Sequence, residues 1–155
     1  DKWMEASKKS INFVMDKRLV DDCWLLGQWE SSRLLLFDNV LVPWFILVPV
    51  TDVCEYYQLA NDHQAMLQRQ MNQLADFLKT QCRVDKVNIA TLGNVVSQLH
   101  IHVVGRFHHD AYWPDVVWGK AQKEPYSKQD VITMAKQLQD VFGRHFSVAK
   151  FNHSI

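Results

Sequence analysis

Two histidines and a glutamine alternate with aliphatic residues in the segment 98–104. One aliphatic residue separates Gln98 from His100 and another separates His100 from His102, and two valines follow. Because alternate side chains of a β-strand share a face, this spacing predicts a row of one amide and two imidazoles opposite a buried apolar face. Imidazole is mostly unprotonated at neutral pH, so such a row can supply a nucleophile or a metal ligand. A strand with one solvent-facing side gives the same alternation.

Features that suit an anion flank this row on both sides. Gly93 and Asn94 form a predicted turn upstream, where backbone N–H groups can be directed at an anion. Gly105 and Arg106 close the predicted strand with a fixed positive charge. Both features favour a phosphate-containing ligand.

The alternation resembles the signature of the histidine triad (HIT) superfamily of nucleotide hydrolases and transferases. In that signature, histidine and hydrophobic residues alternate three times and two hydrophobic residues follow. Phe37–Asp38 is similar to the strand end that carries the family's ribose-binding acid, and residues 44–49 resemble its next hydrophobic strand. Asn88 falls near the family's phosphate-binding asparagine, and Trp113–Pro114 resembles a segment that reaches the neighbouring subunit in the family's dimers. The resemblance covers about residues 34–114.

The resemblance implies a covalent mechanism at the α-phosphate of a nucleotide. His100 is then the nucleophile, and a nucleotidyl-histidine forms before water or another acceptor resolves it. His102 is expected to contact phosphate oxygens or the leaving group, and Gln98 to donate its amide to a phosphate oxygen. The implied substrates are dinucleoside polyphosphates or phosphoramidates, and neither a cofactor nor a metal ion is expected.

Several further residues are predicted to contact the nucleotide or a second subunit. Asp38 is expected to accept hydrogen bonds from the two ribose hydroxyls, although it also fits a turn residue. Asn88 is expected to donate to phosphate, although it also fits a local strand-end role. The loop that carries Trp113 and Trp118 suits a subunit contact, a base-stacking surface or a small satellite core, and we expect a homodimer. The complete set of predicted nucleotide contacts is Phe37, Asp38, Asn88, Gly93, Asn94 and Trp113.

Two positions depart from the family pattern. Gln98 stands in place of the first histidine of the triad, and Trp44 stands where many members have another histidine. Neither side chain can relay a proton, so a second hypothesis is a nucleotide-binding module with little catalysis. A third hypothesis is a metal-binding protein that uses both row histidines together with His108 and His109. No cysteine or acidic residue lies in a recognised zinc spacing with them, so we expect no metal site.

The fold expected from the sequence is an α+β domain of the HIT type. Apolar stretches at 23–29, 33–38 and 43–48, followed by 86–91 and 98–104, predict five mainly antiparallel strands. The spacing of Leu67, Met71, Leu74 and Leu78 predicts a long central helix from about residue 61 to 82. Terminal helices are predicted at about 4–17 and between a capping box at Ser127 and a stop at Gly143.

Composition restricts the class of protein further. The chain has 155 residues, of which 48% are hydrophobic and 22% are charged, and its 17 basic and 17 acidic residues give a formal net charge of zero. This balance disfavours nucleic acid as a partner, and the longest apolar runs are too short to span a membrane. The three cysteines have no metal-type spacing and suggest reduced thiols. We therefore expect one cytoplasmic domain covering residues 1–155.

Overall fold

The computed structural model describes residues 12–150 as one six-stranded antiparallel sheet with two long helices. Short 3₁₀ helices lie at Tyr56–Gln58 and Gly143–His145. None of the helices in this part of the chain combines the length and the apolar character that crossing a membrane requires. In chain order, the elements are α1 Lys17–Asp22, β1 Cys23–Trp29, β2 Ser32–Phe37, β3 Trp44–Pro49, α2 Asn61–Thr80, β4 Lys86–Ala90, β5 Ile101–Arg106, α3 Lys128–Phe142 and β6 Phe146–Val148.

The strand order β4-β5-β3-β2-β1-β6 places the histidine strand inside the sheet. His102 of β5 lies opposite Ile46 of β3 on one side and Ala90 of β4 on the other. All six residues of β5 are buried. Hydrogen bonding to strands on both sides therefore holds the backbone of His102 in place, so its side chain extends from a rigid backbone.

The two faces of the sheet are covered differently. The first face packs against α2 and α3 in a core that includes Leu74, Phe77 and Leu138. The second face carries a smaller cluster that includes Trp44, Ile46 and Val104, covered by α1 and the loop between β5 and α3. The chemistry predicted from the sequence lies on this second face.

The predicted α+β architecture with an antiparallel sheet is confirmed, with differences at its ends. The sheet has six strands rather than five, because β6 pairs with β1 at the edge opposite β4. Most of the helix predicted at 4–17 lies outside the described residues, and residues 12–16 precede the six-residue helix α1. The predicted caps of α3 are present: the Ser127 side chain accepts a hydrogen bond from the Asp130 N–H, and Gly143 ends the helix at φ 70°.

Candidate active site

His100 and His102 lie side by side at the start of β5. Their ring centroids are 5.0 Å apart with an interplanar angle of 69°, and the two residues are only 6% and 7% exposed. The sequence prediction that these imidazoles share one face is confirmed. Each ring also has a fixed partner at Nδ1, and the two partners have opposite hydrogen-bonding character.

The Nδ1 atom of His100 faces a backbone carbonyl. It lies 2.7 Å from the carbonyl oxygen of Gln98. A carbonyl oxygen can only accept, so Nδ1 must carry the proton, and in the neutral ring the lone pair lies on Nε2. His100 is thus held in the tautomer that an attacking nucleophile needs. The carbonyl also stabilises the positive charge that develops on the ring during attack.

The Nδ1 atom of His102 faces a donor instead. The indole Nε1–H of Trp44 donates to it across 2.9 Å, and Trp44 is itself only 5% exposed. An indole has no acceptor nitrogen, so Nδ1 must hold the lone pair and Nε2 the proton. Burial, with a smaller contribution from His100, lowers the pKa of His102 to about 3. The ring is therefore neutral at physiological pH.

A cavity of about 290 Å³ opens beside the two rings. We call it the histidine pocket. Its walls come from α1, the ends of β1–β3, the segment 95–102 and the loop 112–123. The wall includes Arg18, Phe37, Trp44, His100, His102 and Trp118.

Aromatic side chains form much of the histidine pocket. Phe37 packs on Trp44 with ring centroids 4.3 Å apart, and Trp118 presents an edge to both Trp44 and His102 at 6.1 and 5.5 Å. The indole Nε1 of Trp118 is buried and has no hydrogen-bond partner within residues 12–150. The pocket therefore offers flat apolar surfaces next to the imidazoles, which suits a planar ring system.

Basic side chains outnumber acidic ones around the histidine pocket. Arg18, Lys120 and Lys123 line it, against the carboxylate of Asp22. The Arg18 guanidinium donates to the Val95 carbonyl over 2.7 Å, which ties α1 to the predicted anion-binding turn. Arg18 and Lys120 are also paired with Asp16 and Asp115. Lys123 is therefore the pocket cation that has no ion pair within residues 12–150, and it suits an anionic ligand.

Gln98 does not continue the histidine row, which corrects the predicted geometry. Strand β5 begins at Ile101, so the alternation of faces does not extend back to Gln98. The side-chain amide instead ties down the chain before α1: Nε2 donates to the Val14 carbonyl over 2.9 Å, and Oε1 accepts from the Asp16 N–H over 2.8 Å. The backbone carbonyl of Gln98, not its amide, is the group that contacts His100.

Two other predicted contacts have partners outside the histidine pocket. The Asp38 carboxylate accepts from the Trp24 indole over 3.0 Å and from the Tyr126 N–H over 2.8 Å. The Asn88 side-chain oxygen accepts from the Arg106 guanidinium over 3.1 Å. Neither residue is part of the pocket wall, which includes Asp22 and Asn39.

The predicted fixed charge of Arg106 is neutralised within the fold. Arg106 forms a buried ion pair with Asp110 at 2.9 Å, and its guanidinium lies over the Trp113 ring, 5.6 Å from the centroid. Gly93 and Asn94 are exposed and lie at a bend, with φ 72° at Gly93. Arg106, Trp113 and this bend all lie outside the pocket wall, which includes Phe37.

Several pocket residues have no signal in the sequence pattern. Trp118, Lys120 and Lys123 lie in a loop without periodicity, and Arg18 and Asp22 lie in a helix too short for an apolar stripe. Their position depends on how these segments fold over the second face of the sheet. Among residues 12–150, no group of three or more histidine, cysteine or acidic side chains is placed to hold a metal ion.

Comparison with known proteins agrees with this geometry. A family model described as the HIT domain matches residues 18–109. A histidine triad protein from Sinorhizobium meliloti is 36% identical, with a TM-score of 0.79 over 83% of this chain and 96% of that one. One from Bradyrhizobium japonicum is 32% identical, with a TM-score of 0.80 over 84% and 98%. No curated protein matches the chain in sequence.

A more distant structure shares the fold alone. Plasmodium falciparum diadenosine triphosphate hydrolase, solved in complex with cyclomarin A, is 15% identical, with a TM-score of 0.56 over 85% of this chain and 84% of that one. The fold, the paired histidines and the family match together define the class of protein. This chain belongs to the histidine triad family.

Proposed function

We propose that the protein is a nucleotide hydrolase or nucleotidyl transferase that acts at the α-phosphate of a nucleoside phosphate derivative. The observation that carries the proposal is the 2.7 Å contact between Nδ1 of His100 and the Gln98 carbonyl oxygen. This contact requires the proton on Nδ1 and leaves the lone pair on Nε2, and His100 lines the pocket. Family membership supports the same class of reaction, and a protein with the same fold is described as a diadenosine triphosphate hydrolase.

The proposed reaction has two steps. In the first, the Nε2 lone pair of His100 attacks the α-phosphorus, and the bond from phosphorus to the leaving group breaks with its electron pair on that group. The Gln98 carbonyl stabilises the charged ring. In the second, water or another acceptor attacks phosphorus, the P–N bond breaks, and its electron pair returns to Nε2. Hydrolysis releases a nucleoside monophosphate and one proton to solvent.

The histidine pocket supplies the binding groups in this proposal. Phe37 and Trp118 offer aromatic surfaces to a base, and Arg18 and the two loop lysines offer charge to phosphates. The ribose and phosphate contacts predicted from the sequence, Asp38, Asn88, Gly93, Asn94 and Trp113, remain predictions. Alanine variants at these positions, compared with Phe37→Ala for nucleotide affinity, test them.

Intact-protein mass spectrometry tests the covalent step. The protein is mixed briefly with nucleotides, diadenosine polyphosphates or adenosine phosphoramidate and quenched without acid. We expect a transient mass increase of one nucleotidyl group, absent in His100→Ala. A matched control is His109→Ala, which removes an exposed imidazole nine residues away and must retain the adduct. An adduct that persists in His100→Ala contradicts the assignment of the nucleophile.

A nucleotide-binding module with weak catalysis is the second candidate. It is favoured by the Gln98 amide, which is occupied by the backbone of Val14 and Asp16, and by His102, which stays neutral. Calorimetric titration with the same nucleotides separates the two. Tight binding without adduct or product supports the module, whereas turnover that is lost in His100→Ala supports the enzyme.

We also propose that the protein is a cytoplasmic homodimer in which the sheets of two copies meet. Strand β4 lies at one edge of the sheet, and its Ile89 is 48% exposed. An edge strand presents unpaired backbone groups that can pair with another chain. Light scattering of the purified protein is expected to give twice the chain mass, and Ile89→Lys is expected to shift the mass towards a monomer. A monomeric wild type contradicts the dimer.

A further inference from the structure

We infer that the Trp44–His102 hydrogen bond restricts the enzyme to leaving groups that depart without a proton, so that phosphoanhydrides are its substrates and phosphoramidates are not. The inference rests on the proposed attack by His100. It concerns only the second half of that first step, the departure of the leaving group.

His102 has no proton that it can release. Its Nδ1 accepts from the Trp44 indole at 2.9 Å, so its single proton lies on Nε2. Giving up that proton would produce an imidazolate anion in a buried site, which is strongly unfavourable. Taking up a second proton at Nδ1 would displace the indole N–H and leave a buried donor without a partner. The ring is therefore a fixed N–H donor and not an acid.

The surroundings of His102 act in the same direction. His100 and Trp118 pack against the ring at 5.0 and 5.5 Å, and burial, then His100, lowers the pKa of His102 to about 3. No carboxylate within residues 12–150 forms a hydrogen bond or ion pair with the ring that could stabilise an imidazolium. The titratable and charged groups that line the shared pocket are Arg18, Asp22, Cys23, His100, Tyr112, Lys120 and Lys123.

The imidazole of His100 cannot supply this proton, and the two pocket lysines have other contacts. The only N–H of neutral His100 donates to the Gln98 carbonyl, and its Nε2 is consumed by the attack on phosphorus. Lys120 is paired with Asp115 at 2.9 Å, and the Lys123 ammonium lies 5.6 Å from the centroid of the Phe37 ring. These lysines provide positive charge, which stabilises an anion that leaves.

The two substrate classes differ in what the leaving group needs. In a phosphoanhydride, the P–O bond breaks and the electron pair stays on the oxygen of a departing phosphate, which is stable as an anion without protonation. In a phosphoramidate, the P–N bond breaks and the nitrogen needs a proton, because an amine leaves far more readily than its anion. A site with a locked His102 serves the first class well and the second class poorly.

Substrate competition tests the inference. Diadenosine triphosphate and adenosine 5′-phosphoramidate are compared with wild type, Trp44→His and Trp44→Phe. Because general acid catalysis contributes roughly 10²–10⁴-fold, wild type is expected to favour the anhydride in kcat/KM by about 10²-fold or more. Both variants are expected to narrow that ratio at least about tenfold. Trp29→Phe is the matched control, since it makes the same exchange in the core on the other face of the sheet, outside the histidine pocket, and leaves the Nδ1 hydrogen bond in place.

Nitrogen NMR of His102 provides a second readout that does not depend on turnover. In wild type, Nδ1 is expected to be unprotonated and Nε2 protonated, without titration between about pH 5 and 8. In Trp44→Phe, the ring is expected to titrate or to populate both tautomers. Protonated Nδ1 in wild type, or phosphoramidate turnover equal to that of the anhydride, overturns the inference while the adduct on His100 remains. If the wild-type protein turns over neither substrate and forms no adduct, the proposed function itself is overturned.

Discussion

The buried pair of Arg106 and Asp110 offers a sharp test of what fixes the loop after the histidine strand. The two side chains are 2% and 1% exposed. Asp110 Oδ2 accepts from Arg106 Nε and from the Phe107 N–H, while Oδ1 accepts from Arg106 Nη2 and from the N–H groups of Tyr112 and Trp113. Asp110→Asn keeps the shape but replaces one acceptor oxygen with a donor that faces other donors.

The expected loss is large because the arginine stays behind. Removing one partner of a buried ion pair costs about 3–5 kcal/mol of unfolding free energy, since an uncompensated charge remains in the interior. For a domain of this size, each 1 kcal/mol lowers Tm by roughly 2–4 °C. Asp110→Asn should therefore melt about 6–20 °C below wild type.

Urea unfolding followed by circular dichroism measures this loss. Asp115→Asn is the control: it lies five residues further along and removes an exposed pair with Lys120, for which the cost is about 1 kcal/mol or less. If Asp110→Asn loses no more stability than Asp115→Asn, the buried pair does not fix this loop.

The carboxylate of Asp110 should also make the unfolding free energy depend on pH. Burial raises the pKa of Asp110, but hydrogen bonds from Arg106 and from the Phe107 and Tyr112 N–H groups together outweigh it, so the net pKa is lowered. Its stabilisation is therefore complete above the unfolded pKa of about 3.9 and is lost as pH falls through the folded value. We expect wild type to lose more unfolding free energy between neutral pH and about pH 3 than Asp110→Asn does.

Three further predictions concern packing and reactivity. Gln98→Leu should lower the unfolding free energy by about 1–3 kcal/mol, because two hydrogen bonds to the backbone of residues 14 and 16 are lost. It should also accelerate amide hydrogen exchange at Asp16. Unchanged exchange would contradict the hydrogen bond between the Asp16 N–H and the Gln98 side chain. Gly105→Ala should cost about 1–3 kcal/mol in urea unfolding, because its Cβ would lie 2.5 and 2.9 Å from two side-chain carbons. Burial raises the pKa of Cys23 to about 12, so iodoacetamide at neutral pH should label the exposed Cys54 first, as peptide mass mapping can determine.

The regular helices and strands could be predicted from the sequence because the spacing of their apolar residues matches the positions that are buried. Leu67, Leu74 and Leu78, spaced along one helix face, are all fully buried in α2. Strand β6 was missed because three residues are too few to establish an alternation. Gln98 fitted the alternation, but the pattern could not reveal that the strand starts at Ile101. Length and strand boundary, rather than residue type, limited the prediction.

The sequence predicted the positions of the site residues within one segment, but not their contacts with residues from other strands and loops. The alternation placed His100 and His102 on one face, as found. The partner of His102 is a diagonal neighbour, because Trp44 lies opposite Val104 in register while its indole reaches back to the imidazole. Trp118 approaches the same ring from a loop 16 residues further along the chain. Such contacts depend on register and loop packing, which spacing in one segment does not encode.

The two hydrogen bonds of the Gln98 side-chain amide limit how the triad position can be changed by mutation. An amide places an acceptor and a donor side by side, which matches an N–H and a C=O two residues apart, whereas an imidazole has its nitrogens at separate positions on a rigid ring. A histidine at this position would regain a titrating group but release the backbone of residues 14–16, which leads directly into Arg18 at the pocket wall. The side chain at position 98 and the backbone of residues 14–16 therefore depend on each other. Grafting a full histidine triad into this chain requires both to be replaced together.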